Sequence, residues 1–110
     1  MDAREKRMAQ NEVLFREVNE RVNEIAQDHG RDDHMYDYLC ECANSDCTFH
    51  ISLTQPEYEA LRADATQFAV LPLHFTPEIE TLVAEGERYW LVKKTGEAAE
   101  LVKEADPRSP

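Results

Sequence analysis

The amino-acid sequence predicts an α+β protein, in which a long N-terminal amphipathic helix precedes a small β-β-α-β-α-β domain with a metal-stapled hairpin. Three observations predict it. Apolar residues first recur at helical spacing, short segments with strand alternation follow, and all three cysteines lie within eight residues of one another. The 110 residues leave room for one compact core. We divide the chain into the helix (1–30), the stapled domain (31–94) and a C-terminal tail (95–110).

Residues 3–28 form the predicted helix. Met8, Phe15 and Val22 recur every seven residues, and no Gly or Pro interrupts the stretch before Gly30, which is a typical helix end. The same apolar face is widened by Leu14, Val18, Ile25 and Ala26. We expect this face to pack on the helix's own domain, and docking to a second copy or another protein is the alternative.

The next segments predict a β-hairpin. Residues 36–42 alternate like a strand, with tyrosines and cysteines on one face and Glu41 on the other. Residues 43–46 have the composition of a turn, and residues 48–53 alternate again. The expected buried side chains of this second strand are Phe49, Ile51 and Leu53.

Capping and turn residues place the following elements. Thr54 and Glu57 are spaced as a capping box, which predicts a short helix. The apolar run 67–73 predicts a strand buried on both faces. Pro77 stands at the first position of a second short helix that ends at Gly86.

The last predicted elements are a strand and a helix, and an unstructured end follows them. Residues 88–94 form the last strand, and residues 97–104 favour a helix. The final Asp-Pro-Arg-Ser-Pro run is expected to be disordered, as chain ends often are.

Charge excludes several classes of partner. The net charge is −11, of which residues 31–92 carry −9 through twelve acids and three bases. Binding to nucleic acid or anionic lipid needs clustered Lys and Arg, so neither is expected. There is no apolar run near the roughly 20 residues of a membrane span, and no apolar leader begins the chain. We expect a cytoplasmic protein whose partner docks on residues 1–30 or on the acidic segment, with a homodimer as the alternative.

The cysteines carry the most specific motif. Cys40, Cys42 and Cys47 form a C-x-C-x4-C pattern across the tip of the predicted hairpin. Three thiolates that converge at a turn suit tetrahedral zinc, which then requires a fourth ligand. A disulfide between Cys40 and Cys42 would be strained, and a reducing compartment disfavours it.

The fourth ligand is sought among the histidines. His74 is favoured because it lies in a constrained loop after the apolar strand and could fold back on the hairpin. His50, His34, a carboxylate and a water molecule are the alternatives, as is a cluster that binds no metal. The predicted metal ligands are Cys40, Cys42, Cys47 and His74, with Zn²⁺ as the metal. A [2Fe-2S] cluster is the alternative, since the pattern partly resembles the three-Cys, one-His loop of CDGSH-type proteins.

Several stretches together resemble a group of short actinobacterial proteins of unassigned function, over roughly residues 11–94. The matching stretches are Phe15–Arg21, Cys40–Cys42 with Asp46–Cys47, Leu53–Thr54, Glu57–Glu59, Arg62–Asp64 with Phe68, the His74 loop and Tyr89–Trp90. The resemblance implies a cytoplasmic bacterial domain with His74 as a ligand. Those proteins carry a Gly-His pair there, and this chain has Leu73-His74.

These observations favour a structural zinc domain that acts through protein–protein contacts, such as a regulatory adaptor. A thiol-based redox or metal sensor is the first alternative. A small metal-dependent hydrolase, with Glu41 or Asp46 as its base, is the second. We expect no enzyme, because three thiolates weaken the Lewis acidity of zinc and the sequence has neither an H-E-x-x-H motif nor a Gly-rich phosphate loop.

Overall fold

The computed structural model describes residues 1–108 and confirms the predicted α+β class with its long N-terminal helix. The elements follow in the order α1 (Ala3–His29), β1 (Met35–Leu39), β2 (His50–Thr54), α2 (Gln55–Leu61), β3 (Gln67–Val70), β4 (Glu80–Glu85), β5 (Trp90–Lys94) and α3 (Gly96–Glu104). None of the helices within residues 1–108 is long and apolar enough to cross a membrane.

The strands form two separate antiparallel sheets. β1 and β2 make the predicted hairpin, in which Leu39 lies opposite His50. The second sheet has the order β3-β5-β4. Helix α1 contacts β1, α2 and α3, so it links the two sheets along one side of the molecule.

Both predicted helix caps are present. Gly30 ends α1 in the left-handed conformation at φ 66°, and its N–H donates to the Gln27 carbonyl over 3.1 Å. Thr54 and Glu57 form the capping box of α2, each side chain accepting from the other's backbone N–H. Local capping chemistry therefore fixes these two boundaries.

The prediction that the apolar face of α1 packs on the domain is wrong for its central residues. Leu14, Val18 and Ile25 are exposed, while Phe15 and Val22 are only half-buried. The buried residues of α1 are Ala9, Glu12, Arg16, Asn19, Asn23 and Ala26. The helix thus turns a mainly polar face inward and an apolar one outward.

Each inward polar side chain has at least one hydrogen-bond partner, which offsets part of the cost of burying it. Asn19 binds the backbone of Leu39 in both directions, donating from Nδ2 to the carbonyl over 3.0 Å and accepting from the N–H over 2.7 Å. The Tyr38 hydroxyl donates to Asn23 Oδ1 over 3.3 Å. The Asn19 amide thus makes the two hydrogen bonds to Leu39 that the backbone of a neighbouring strand would make, and these bonds hold α1 against β1.

A second polar cluster lies between α1 and the second sheet. The Lys94 ammonium donates to Glu80 Oε1 over 2.9 Å and also to Glu12, and all three side chains are fully buried. Two carboxylates share one ammonium, and one oxygen of each has no hydrogen-bond partner among the described residues. Burial consequently raises the pKa of both Glu12 and Glu80.

The predicted second short helix is wrong, because residues 80–85 form strand β4. Pro77 starts only a turn, in which the Ile79 N–H donates to the Thr76 carbonyl over 3.2 Å. β4 then pairs with β5 so that Glu80 lies directly opposite Lys94. Gly86 turns the β4–β5 hairpin, where a Cβ would lie 2.8 Å from the Tyr89 carbonyl oxygen. The long-range pairing overrides a local helix-start pattern.

The expectation of a disordered end is wrong for residues 106–108. Asp106 pairs with buried Arg62, and the Arg108 guanidinium contacts Glu20 and Glu59. The end of the chain is thereby tied to α1 and α2. Residues 109–110 of the same prediction lie outside the described residues.

The shared ammonium predicts a pH-dependent stability. A pKa raised above 4.5 in the folded state means that the stabilising contribution is complete at low pH and is lost as pH rises through the folded value. Glutamine cannot ionise, so we expect Glu12→Gln to remove the loss of stability that comes from ionisation of the buried Glu12 carboxyl. The free energy of unfolding of Glu12→Gln should therefore rise relative to wild type between pH 5 and 8, by at most about 1.4 kcal/mol per pH unit.

Urea unfolding at each pH measures this difference, and metal-linked effects cancel between the two proteins. Glu24→Gln, on the exposed face of the same helix, is the matched control and should unfold with a free energy within about 0.5 kcal/mol of wild type. A flat difference for Glu12→Gln would mean that the buried carboxylates are both ionised throughout.

Candidate metal centre

The four predicted ligand residues lie together and could hold one metal ion. The donor atoms of Cys40, Cys42, Cys47 and His74 are all within 4.8 Å of one another. The three cysteines are free thiols and are buried, and His74 is half-buried. Two distant segments of the chain therefore meet at one cluster of soft donors.

The spacing of the donors matches a single tetrahedral ion. His74 Nδ1 lies 3.5 Å from Cys40 Sγ and 3.8 Å from Cys47 Sγ. An ion bound at about 2.3 Å to sulfur and about 2.0 Å to nitrogen requires tetrahedral S–N separations of about 3.5 Å. Small movements of the side chains would be enough to complete the coordination.

The cysteines are carried by the loop that joins β1 to β2. The predicted first strand extended to residue 42, but β1 ends at Leu39, so only Cys40 directly continues it. An Asn44-centred turn then reverses the chain. The Asp46 N–H donates to Asn44 Oδ1 over 2.9 Å, and the Cys47 N–H donates to the Asn44 carbonyl over 3.0 Å. This turn brings the third sulfur back to the first two.

A tight turn after β3 presents the histidine. The His74 N–H donates to the Leu71 carbonyl over 3.0 Å, while the Leu71 N–H donates to Cys40 Sγ over 3.2 Å. Leu73, between them, adopts the left-handed conformation at φ 73°. That conformation favours glycine, so the leucine is held in a strained backbone conformation next to the histidine.

The other histidines lie elsewhere. His50 is in β2 opposite Leu39, and His34 packs edge-on against Tyr36 with 4.6 Å between ring centroids. Neither belongs to the four-residue group. Phe49, expected in the core with Ile51 and Leu53, is instead exposed beside the site, 5.9 Å from the His74 ring centroid. That part of the hairpin prediction is wrong because β2 begins only at His50.

The thiols share charge in the absence of a metal. A hydrogen bond from Cys40 lowers the pKa of Cys42 to about 5, and the same bond raises the pKa of Cys40. Burial raises the pKa of Cys47. This hydrogen bond favours the thiolate form at Cys42, and a bound cation would favour the thiolate form of all three sulfurs.

Glu41 is an important residue of the site whose burial the alternating sequence pattern does not indicate. It was expected on the face opposite the cysteines, and it is fully buried against α1. Its carboxylate accepts from Arg16 Nε over 2.7 Å, Arg16 Nη2 over 2.9 Å, Asn19 Nδ2 over 3.1 Å and the Ala69 N–H over 3.0 Å. The bidentate ion pair and the two further donors satisfy a charge that would otherwise be costly to bury.

Arg16 extends this connection into the second sheet. Its guanidinium lies 3.8 Å over the centroid of the Phe68 ring and also donates to the Gln67 carbonyl. The Glu41 N–H in turn donates to the Ala69 carbonyl over 2.9 Å. Three parts of the chain therefore meet at one buried point: the loop that carries the cysteines, α1 and β3. The Glu41 carboxylate is held there by its hydrogen bonds and is not free to act as a general base.

Removal of the Arg16 charge from the Arg16–Glu41 ion pair should strongly lower the stability of the fold. We expect Arg16→Gln to lower the free energy of unfolding by about 3–5 kcal/mol, because the Glu41 carboxylate would stay buried without its counter-charge. Arg7→Gln, an exposed change of the same chemistry on the same helix, should cost less than about 0.5 kcal/mol. Denaturant unfolding of both variants checks this, and equal stabilities would rule out the buried pair as a major contributor.

The left-handed backbone at Leu73 makes a separate prediction. Leu73 is 82% exposed, so its side chain contributes little packing. We expect Leu73→Gly to raise the free energy of unfolding by about 0.5–1 kcal/mol, because strain of about 1–2 kcal/mol outweighs the extra backbone entropy of glycine. Leu73→Ala retains the Cβ atom and should leave stability near wild type. Equal effects of the two changes in thermal unfolding would contradict this.

Comparisons of the chain with protein-family models, with curated proteins and with solved structures gave no match. A function must therefore be inferred from the site itself. The site consists of four soft donors at one point and a fully hydrogen-bonded carboxylate behind them.

Proposed function

We propose that this chain is a structural zinc domain that works through protein–protein contacts, as an adaptor does. The observation that carries the proposal is the four-donor cluster of three cysteines and one histidine within 4.8 Å. A metal there would join the β1–β2 loop to the turn after β3, which are far apart in the sequence. In small domains such a bond supplies folding free energy directly.

Zinc is the proposed metal because three thiolates and one imidazole in a tetrahedron form a common structural zinc site. The alternative, a [2Fe-2S] cluster, holds two ligands on each of two irons and so separates the ligand pairs by the width of the cluster. Donors that all lie within 4.8 Å of one another suit a single ion better.

A structural role is proposed over a catalytic one. A catalytic zinc keeps one coordination position for water, whereas four protein donors would fill the tetrahedron. Glu41, one of the two candidate bases, already accepts four hydrogen bonds. Asp46, the other candidate base, is exposed, so the hydrolase hypothesis is disfavoured by the four protein donors alone, which leave no metal position for water.

The redox-sensor hypothesis is the second candidate, and burial argues against it. Thiolates are oxidised readily when they are exposed, and the three sulfurs here belong to buried residues.

We place the protein in the cytoplasm in this proposal, since reduced thiols are the form that binds zinc. The acidic charge supports a protein partner over nucleic acid or an anionic membrane.

The test is the metal dependence of folding. We expect the reduced protein to hold one zinc per chain by elemental analysis. Cys42→Ser should lose stoichiometric zinc, and its free energy of unfolding should fall by more than about 3 kcal/mol, since the metal contributes on the order of 10–16 kcal/mol in zinc-finger peptides. A Cys42→Ser variant that unfolds like wild type would refute the structural role.

Two histidine variants identify the fourth ligand. His74→Ala should lose zinc, whereas His50→Ala, in β2 outside the cluster, should retain it.

Peroxide titration separates the structural zinc domain from the redox sensor. Zinc that is retained at low peroxide supports the structural role, and zinc that is released stoichiometrically supports the sensor.

A further inference from the structure

Helix α1 presents a stripe of aliphatic side chains to solvent. Leu14, Val18 and Ile25 are 57%, 45% and 56% exposed. At about 100° per residue they share one narrow face of the helix, and this face lies roughly opposite the buried Glu12 and Asn23. We refer to these three residues as the outer stripe. A helix whose apolar residues point away from its own domain is typical of an interaction surface.

Charged groups along the outer stripe are free to bind another chain. Glu17 and Arg21 flank it, one turn apart, and both are exposed. The ion pairs that α1 makes within residues 1–108 use its ends and its inner face, and neither Glu17 nor Arg21 takes part in them. The stripe therefore has an apolar centre and one unpaired charge of each sign beside it.

We propose that the outer stripe binds the outer stripe of a second copy of this chain, with the two helices antiparallel. In that arrangement Leu14 of each copy faces Ile25 of the other, and Val18 faces the aliphatic stem of Arg21 of the other. One two-fold axis forms every contact twice, as in most homodimers. The stripe is thus complementary to itself.

The flanking charges agree with the antiparallel arrangement. When Leu14 faces Ile25 of the second copy, Arg21 of one helix comes beside Glu17 of the other, and symmetry repeats the pair. Charged residues beside an apolar seam set the orientation of paired helices in this way. In a parallel pair the two-fold axis would place these residues of the two copies on opposite sides of the seam, so the Arg21–Glu17 pairs could not form.

The acidic charge of the chain does not prevent this dimer. Residues 31–92 carry −9, whereas residues 1–30 carry only −2. Because the domain lies on the inner side of α1, pairing through the outer side separates the two acidic bodies by both helices, about 20 Å. That distance exceeds the Debye length of about 8 Å at physiological salt, so the repulsion between the bodies is largely screened.

This inference rests on the proposed function in one respect only, in that it names a second copy as the partner of the proposed interaction domain. The metal and the outer stripe lie on separate parts of the molecule. Loss of zinc in Cys42→Ser tests the metal site, and loss of self-association in a stripe variant tests the dimer. Either can fail without the other.

Sedimentation equilibrium of the zinc-loaded full chain tests the proposal. We expect wild type to dimerise reversibly in the micromolar range. Val18→Glu should weaken the dimer at least 100-fold, and Val18→Lys should do the same, since both bury charge irrespective of its sign. Val83→Glu is the matched control, because Val83 is 47% exposed on β4 and lies off the stripe. It should dimerise like wild type.

A charge exchange tests the antiparallel register. Glu17→Arg alone and Arg21→Glu alone should each weaken the dimer, and the double variant should restore it, because the pairs then re-form with reversed sign. Zinc content and melting temperature, measured on every sample, should match wild type and so show that each variant is folded.

Several results would overturn the proposal. One is a wild-type chain that stays monomeric at 100 μM, even where the stripe captures a different protein. Another is a Val18→Glu variant that dimerises as wild type does. A third is a double variant of Glu17→Arg and Arg21→Glu that dimerises no better than either single variant, since the reversed pairs should re-form in the antiparallel register.

Discussion

The burial of one carboxylate, that of Glu41, constrains most of the structure. A buried charge requires a counter-charge and a donor for each remaining lone pair, and here these come from Arg16, Asn19 and the backbone of Ala69. The three donors belong to α1 and β3, and the acceptor belongs to the loop that carries the cysteines. Because the pair has fork geometry, it fixes orientation as well as contact. The buried ion pair therefore determines which face of α1 lies on the domain, beside the apolar contacts that Met8, Ala9 and Val22 make there.

This constraint also explains why the apolar residues of α1 face outward. A helix that places Arg16 inward must place the opposite face, including Leu14 and Val18, in solvent. Exposing half of three aliphatic side chains costs roughly 1 kcal/mol each. Turning the helix over would leave the Glu41 carboxylate buried without Arg16, at about 3–5 kcal/mol, although Lys94 would keep Glu80 as its partner. The orientation with the polar face inward is therefore favoured, and it leaves the outer stripe exposed.

Local patterns in the sequence predicted the features that local chemistry determines. The bounds of α1, the capping box of α2 and the convergence of the cysteines on His74 depend on nearby residues or on a motif that has few geometric solutions. The inward face of α1 and strand β4 could not be predicted in the same way. Their determinants are pairs between residues far apart in the chain, Arg16 with Glu41 and Glu80 with Lys94. A hydrophobic pattern contains no information about which charges will meet, so it selected the wrong face of the helix and retained a helix-start pattern at Pro77.

The position of Glu41 between two metal ligands has a thermodynamic consequence. Cys40 and Cys42 adjoin it on either side, so whatever orders the cysteine loop also orders the carboxylate that holds α1. Linkage requires the effect to be reciprocal: if metal binding favours the docked helix, the docked helix strengthens metal binding by the same factor. The exposed stripe depends on that docking, because only the polar-inward orientation presents it. A structural metal in this fold would therefore do more than stabilise a small core, since it would also favour the orientation in which α1 offers its apolar face to another molecule.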